Sequence, residues 1–181
     1  MLLIVAVLSS TASAAEMLSV EVDYEEGIYT MNSEVWFDAS VEQVYEIFRS
    51  WDNSTKFSSV IVESRDMPPD EHGRPQFYVL NSACVLFFCK SFERQGYVES
   101  ESNVVIFAFV IPEKSDFHIS NESWRFLERD GGTVVIYDFE MQPKFWIPPG
   151  IGPYLIKRKL RKNVDSAVDR IEVLAKAVSI E

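Results

Sequence analysis

The clearest opening pattern along the chain is an alternation. Tyr29, Met31, Val35 and Phe37 occupy odd positions while Thr30, Asn32 and Glu34 lie between them, the two-residue period of a strand with one buried face. Ser40 then stands three residues before Gln43, the spacing of a capping box, and Val41, Val44, Tyr45, Phe48 and Trp51 recur at helical intervals. A short amphipathic helix is predicted directly after this first strand. From residue 58 to residue 137 the texture becomes β-rich, with runs at 60–64, 77–88, 92–99, 104–111, 117–127 and 133–141. Pro68-Pro69-Asp70, Asn103, Pro112 with Ser115, and Asp130-Gly131-Gly132 punctuate them. Such a series implies an antiparallel meander. Its strongest hairpin signal is Arg129-Asp130-Gly131-Gly132, because glycine accepts the positive φ of a tight turn. Past residue 153 the period turns helical again, and Leu160, Val164, Ala167, Val168, Ile171, Leu174 and Val178 form one apolar stripe. The pattern therefore predicts an α+β fold: a curved antiparallel sheet of about seven strands wrapped around a long C-terminal helix, with a short helical segment after the first strand.

Composition adds bounds to this picture. A chain of 181 residues, 47% hydrophobic and 13% aromatic, fits one domain with one core. Its net charge of −11 leaves no broad basic surface for nucleic acid. Residues 2–8 are almost purely apolar and lead into Ser9, Ser10, Thr11 and Ala12-Ser13-Ala14, which fits a signal-peptidase site. Cleavage after Ala14 divides the chain into a signal peptide, 1–14, and a ligand-binding domain, 15–181, and makes the protein exported, periplasmic or secreted. The apolar run is too short to span a bilayer. No Lys or Arg precedes it, so a cytoplasmic protein with an apolar first strand is the competing reading. Cys84 and Cys89 are the only cysteines. In a regular strand, residues five apart face opposite ways and lie about 16 Å from each other, beyond the reach of about 7 Å of a disulfide. A bulge or bend through Val85-Leu86-Phe87-Phe88 would bridge them; otherwise they are two buried thiols.

The order of elements, together with several local strings, resembles the START-like superfamily, also called SRPBCC or Bet v 1-like, which implies a helix-grip fold. The strings are Asp38-Ala39-Ser40-Val41-Glu42-Gln43-Val44-Tyr45 leading into Trp51-Asp52, then Val60-Ile61-Val62-Glu63-Ser64-Arg65, and Trp124-Arg125-Phe126 with Gly132-Thr133. The last is Pro143-Lys144-Phe145-Trp146-Ile147-Pro148-Pro149-Gly150-Ile151-Gly152-Pro153. Within the superfamily the chain is most similar to the polyketide cyclase/dehydrase and coenzyme Q-binding group, over residues 27–177. These motifs mark a fold and no catalytic centre. The resemblance implies a hydrophobic cavity between sheet and terminal helix, lined by Tyr78, Phe107, Phe109, Trp124, Phe126, Tyr137, Phe139, Ile151 and Leu155. A small hydrophobic ligand such as a lipid, quinone or other isoprenoid is the implied partner.

No phosphate loop, metal motif or nucleophile signature is present, so neither cofactor nor metal is expected. If Trp124 and Phe126 face inward, parity carries His118, Ser120 and Glu122 inward with them. In an enzyme reading, a cyclase, dehydratase or hydrolase, the acid or base is Glu122, its carboxyl pKa raised by burial, or His118, or a tyrosine of the cavity wall such as Tyr78 or Tyr137; a bulge between Ser120 and Trp124 or solvation at the cavity mouth is the structural alternative. Residues 104–110 are apolar on both faces, and a single-layer sheet needs a cover for the second; a homodimer contact or a register bulge would each supply it. Phe145, Trp146 and Ile147 precede Lys157, Arg158, Lys159, Arg161 and Lys162, a local reversal of sign. Phe145, Trp146, Ile147, Lys157, Arg158 and Lys162 are the candidate segment for transient contact with a membrane surface and for ligand access. The alternative is that the cations neutralise acidic neighbours in the fold. A filled interaction module with no cavity is the third functional reading.

Overall fold

The computed structural model describes residues 15–85, 88–148 and 150–178. Eight strands form one antiparallel sheet: β1 Glu16–Glu25, β2 Ile28–Phe37, β3 Ile61–Met67, β4 Gln76–Val85, β5 Phe88–Glu101, β6 Val105–Val110, β7 Phe117–Arg129 and β8 Gly132–Pro143. Helix α1, Val41–Arg49, a 3-10 turn at Trp51–Asn53 and the short α2, Ser54–Phe57, lie between β2 and β3. The chain ends its described part in α3, Ile151–Lys176. The sheet order is β1-β2-β8-β7-β6-β5-β4-β3. It is a curved, open sheet around α3, the helix-grip α+β architecture that the sequence predicts.

One strand more is present than the alternation predicted, and a bulge is the reason. In β1, Met17 pairs with Val35 and Ser19 with Glu34, so Leu18 is an extra residue in the ladder. Met17 lies on one parity while Val20 and Val22, opposite Ser33 and Met31, lie on the other. The two-residue period is broken within the strand, and periodicity alone does not register it. β1 joins β2 through Glu26-Gly27, whose φ values of 48° and 90° are both positive, as a two-residue type I′ hairpin requires. Asp130 and Gly131, at 55° and 76°, make the turn between β7 and β8 in the same way.

The capping box at α1 is present. The Gln43 amide donates to Ser40 Oγ at 3.3 Å, and the Ser40 amide to Gln43 Oε1 at 3.1 Å. This fixes the start of a helix that buries Val44, Tyr45 and Ile47. Two packed regions result. One joins α1 and the second half of α3 to β2 and β8 through Val44, Phe37, Val135, Val168, Ile171 and Ala175. The other stacks Trp51 on Phe77, with ring centroids 4.1 Å apart, over Val79 and Ala108. Each fully buried aromatic or aliphatic side chain here contributes roughly 1.5–3 kcal/mol. At the amino-terminal end of the described chain, the Ala15 amide donates to the carboxylate of Glu172 on α3.

The run 77–88, read from sequence as a single strand, ends as β4 at Val85, and β5 begins at Phe88. The reversal puts Cys84 directly opposite Cys89, with Cα atoms 3.9 Å apart and the sulfurs bonded. The bend alternative for these two cysteines is therefore the one present.

Candidate functional site

The stripe of α3 is divided in its use. Ala175 lies wholly in the core, Val168, Ile171 and Val164 belong to or pack on the core and also line the cavity, and Ile151, Leu155, Ile156 and Leu160 border open space. Between this first half of the helix and the concave face of the sheet lies a cavity of about 840 Å³. Its walls are mostly apolar, and its mouth lies where Trp146, 75% exposed, and Ile151 also contribute to the lining. The volume is within the range of small-molecule sites.

Strand parity sets which side chains reach the cavity. On β8 and β7, Tyr137, Phe139, Trp124 and Glu122 face it, with Tyr137 stacked between Trp124 at 5.3 Å and Phe139 at 6.2 Å. Ile151, Leu155, Phe145, Trp146 and Ile147 line it as well. Phe126 points inward but belongs to solid core, edge-on to Tyr45 at 5.3 Å. Four expected positions lie elsewhere. Tyr78 is on the outer face beneath the Arg65 guanidinium, 4.1 Å from its ring centroid, because Phe77 and Val79 take the inward parity of β4. Phe107, 38% exposed, and Phe109 are also on the outer face, and the inward residues of β6 are Ile106, Ala108 and Val110. His118 is exposed: a register shift between Phe117 and Ile119 turns it outward and Phe117 inward, while Ser120 and Glu122 keep the inward parity. The inward carboxylate and imidazole therefore do not share a face.

Glu122 instead meets a partner that sequence reasoning missed. Arg94 of β5 forms an ion pair with it, each residue only 8% exposed. The Tyr137 hydroxyl donates to the other carboxylate oxygen of Glu122 at 2.9 Å. Burial, reinforced by the negative charge of Glu122, holds the Tyr137 phenol well above its ordinary value of 10.0, so it remains a donor at neutral pH. A lone carboxylate in this position would be costly to bury; the arginine compensates it. The signal for Arg94 was available in the alternation Lys90, Phe92, Arg94, which places all three on one face of β5.

Four buried polar atoms that line or adjoin the same space have no hydrogen-bond partner among the described residues: Ser33 Oγ, Asn81 Nδ2, Arg94 Nε and Ser120 Oγ. Buried polar groups are nearly always satisfied, so such a set marks where a polar group of a ligand or water belongs. Asn81 and Arg94 offer donors, and the two hydroxyls can do either. The described residues contain no cluster of three or more His, Cys, Asp or Glu able to hold a metal ion.

The cations at the start of α3 divide by helical position. Lys157 pairs with Asp23 of β1 at 3.2 Å, and Arg161 donates to the Val20 carbonyl at 3.3 Å. Arg158 and Lys162 are exposed, and Lys159 turns toward the cavity. Of the two readings of this run, neutralisation thus describes Lys157.

A helix-grip domain with an apolar cavity and one buried polar cluster is the class that this geometry defines. The chain belongs to the family described as polyketide cyclase/dehydrase and lipid transport, which it matches over residues 37–168. It is similar in structure to the protein TTHA0849 from Thermus thermophilus, with TM-score 0.69, 18% identity and coverage of 83% of this chain and 99% of that one. A STAR-related lipid transfer protein from Xanthomonas axonopodis gives TM-score 0.61 at 14% identity, covering 84% and 98%. The Zhui aromatase/cyclase from Streptomyces sp. R1128 gives 0.60 at 11%, covering 82% and 94%. At these identities the likeness is one of fold. No curated protein matches the chain in sequence.

Proposed function

We propose that this protein binds, and carries, a small hydrophobic molecule of the lipid, quinone or other isoprenoid type, as a periplasmic or otherwise exported protein. The observation that carries the reading is the cavity of about 840 Å³, whose apolar wall is interrupted by Arg94, Glu122 and Tyr137 with unpartnered polar atoms beside them. Apolar burial at about 25 cal/mol per Å² drives binding, and the polar cluster orients one oxygen-bearing end of the ligand. The lipid transfer protein of Xanthomonas axonopodis, similar in fold, supports carriage. Export is supported by the small-residue run ending at Ala14 and by the disulfide, which suits an oxidising compartment. Ligand access is assigned to the aromatic segment 145–147, and contact with a membrane surface to Trp146 with Arg158 and Lys162. A homodimer would cover the outer face of β6 at Phe107 and Phe109.

The second reading, a cyclase or dehydratase, is favoured by one observation: the protonated Tyr137 phenol lies within the cavity with its one hydrogen on the Glu122 carboxylate, and by rotating that O–H from Glu122 to a substrate carbonyl it would polarise the carbonyl. Mass spectrometry of solvent extracts from natively purified protein tests both. A co-purifying lipid or isoprenoid is the expected result. A cyclised aromatic product would replace carriage by catalysis, and a natively purified protein that retains nothing and takes up no apolar dye would defeat both. The intact mass of the secreted protein, expected to begin at Ala15, tests export; a retained Met1 would refute it.

A further inference from the structure

The side chains lining the cavity include three cations, Lys90, Arg94 and Lys159, and one anion, Glu122. Arg94 and Glu122 answer each other. Two positive charges are left over, in a chain whose net charge is −11. Neither has an acidic partner among the described residues. The Lys90 ammonium lies 5.1 Å from the centroid of the Phe145 ring, and half-buried Lys159 faces the same space from α3. Their neighbours show that acidic partners were available: Lys157, two residues from Lys159, is already paired with Asp23.

The two levels of charge are separated. Lys90 and Arg94 are four residues apart on one face of β5, a rise of about 13 Å, with Phe92 between them. The neutralised pair lies within the fold. Lys90 lies beside Phe145, toward the mouth. Lys90 is exposed and therefore more screened by solvent, whereas half-buried Lys159 on the apolar wall attracts an anion more strongly than a cation in open water does.

From this arrangement we propose that the ligand class is an anionic amphipath: one carboxylate or phosphate headgroup held at the mouth by Lys90 and Lys159, and an apolar tail running inward along Phe92. This rests on the cavity-binding reading and narrows it, because a neutral sterol or quinone would leave both cations unanswered. The polar cluster at Arg94 and Glu122 then meets the far end of the tail or an oxygen carried on it.

Displacement of the neutral dye Nile red from the full chain tests the assignment, with hexadecanoate, hexadecyl phosphate, hexadecanol and inorganic phosphate as competitors below their aggregation limits. Each amphipathic anion is expected to bind about tenfold more tightly than the alcohol, the sum of two partly screened charge contacts, and added salt should narrow that ratio. Inorganic phosphate should displace nothing. Lys90→Gln and Lys159→Gln should each reduce the preference severalfold, and together abolish it, with hexadecanol affinity unchanged as the control for folding. Lys114→Gln, at an exposed position outside the cavity lining, should change nothing. Equal affinity of alcohol and anions in the unaltered protein overturns the proposal, as does a preference that survives the double substitution. If neither the dye nor any amphipath enters, the cavity-binding reading itself falls.

Discussion

At the scale of single residues, the ion pair between Arg94 and Glu122 governs the polar end of the cavity. A buried pair is weak evidence of stabilisation, but removing one partner strands the other. Arg94→Met is expected to destabilise by about 3–5 kcal/mol. The double change Arg94→Met with Glu122→Met should recover most of that, short of the hydrogen bond that Tyr137 then lacks, about 1 kcal/mol. Urea denaturation of the two variants measures the difference; equal losses would mean that the pair is solvated. Tyrosine ionisation supplies a second check. Burial, with the charge of Tyr24 adding to it, pushes the Tyr29 phenol up to about 12, and Tyr137 lies well above 10.0. Folding favours the neutral phenol at both, so this contribution is complete below the unfolded value of about 10 and is lost as pH rises through the folded value. Ultraviolet titration should show these two among the last of the tyrosines to ionise, with Tyr137 accompanying alkaline unfolding. Tyr137→Phe should remove its step and leave that of Tyr29.

At the scale of elements, α3 does two jobs along one stripe. Ile171 is buried in the core cluster as well as lining the cavity, whereas Leu155 lines the cavity and lies outside that cluster. Truncating a packed aliphatic side chain costs about 2–5 kcal/mol because a cavity remains behind. Leu155 has fewer packed neighbours to lose, so Leu155→Ala should cost about 1 kcal/mol and Ile171→Ala at least twice as much, as a Tm series would show. Leu155→Ala should instead weaken retention of an apolar dye. Gly152 is where the helix meets the aromatic segment 145–147: a Cβ there would come within 2.5 Å of the Ile147 side chain. Gly152→Ala therefore tests whether displacing Ile147 alters the rate of ligand exchange.

At the scale of the whole molecule, strong negative charge contrasts with a local basic patch beside an exposed aromatic residue. Trp146 is among the most exposed large apolar side chains, and Trp is favoured at membrane interfaces. Each Lys or Arg near an anionic surface contributes about 1 kcal/mol at low salt. Association with anionic vesicles should therefore be weak, fall with salt, and decrease for the double change Arg158→Glu with Lys162→Glu. Trp146→Ala should slow exchange of a fluorescent lipid while the circular dichroism spectrum stays unchanged. Binding to vesicles that ignores both salt and the charge reversals would return these cations to the role of a solvated helix face. The described helices include none long and apolar enough to cross a membrane.

The sequence by itself determined the elements whose physics is local. Alternation specified β2, the Ser40 and Gln43 capping box started α1, the Asp130-Gly131 turn joined β7 to β8, and a seven-residue apolar stripe marked α3. Each depends on residues within a few positions of one another, and periodicity records those directly. What interrupts a period was not legible. The bulge at Leu18 concealed β1, the register shift after Phe117 turned His118 outward, and the reversal after Val85 made cross-strand partners of Cys84 and Cys89. Two-sided apolar strands were equally ambiguous, because parity says which residues share a face without saying which face is inside. That is why Phe107 and Phe109 were assigned to the cavity in place of Ile106 and Ala108. Only the tertiary structure could bring Arg94 to Glu122 across 28 positions, and only the packing of α3 on the sheet could decide which part of its stripe borders a cavity. Both are relations between distant segments, set by how the sheet curves, and no local pattern encodes them.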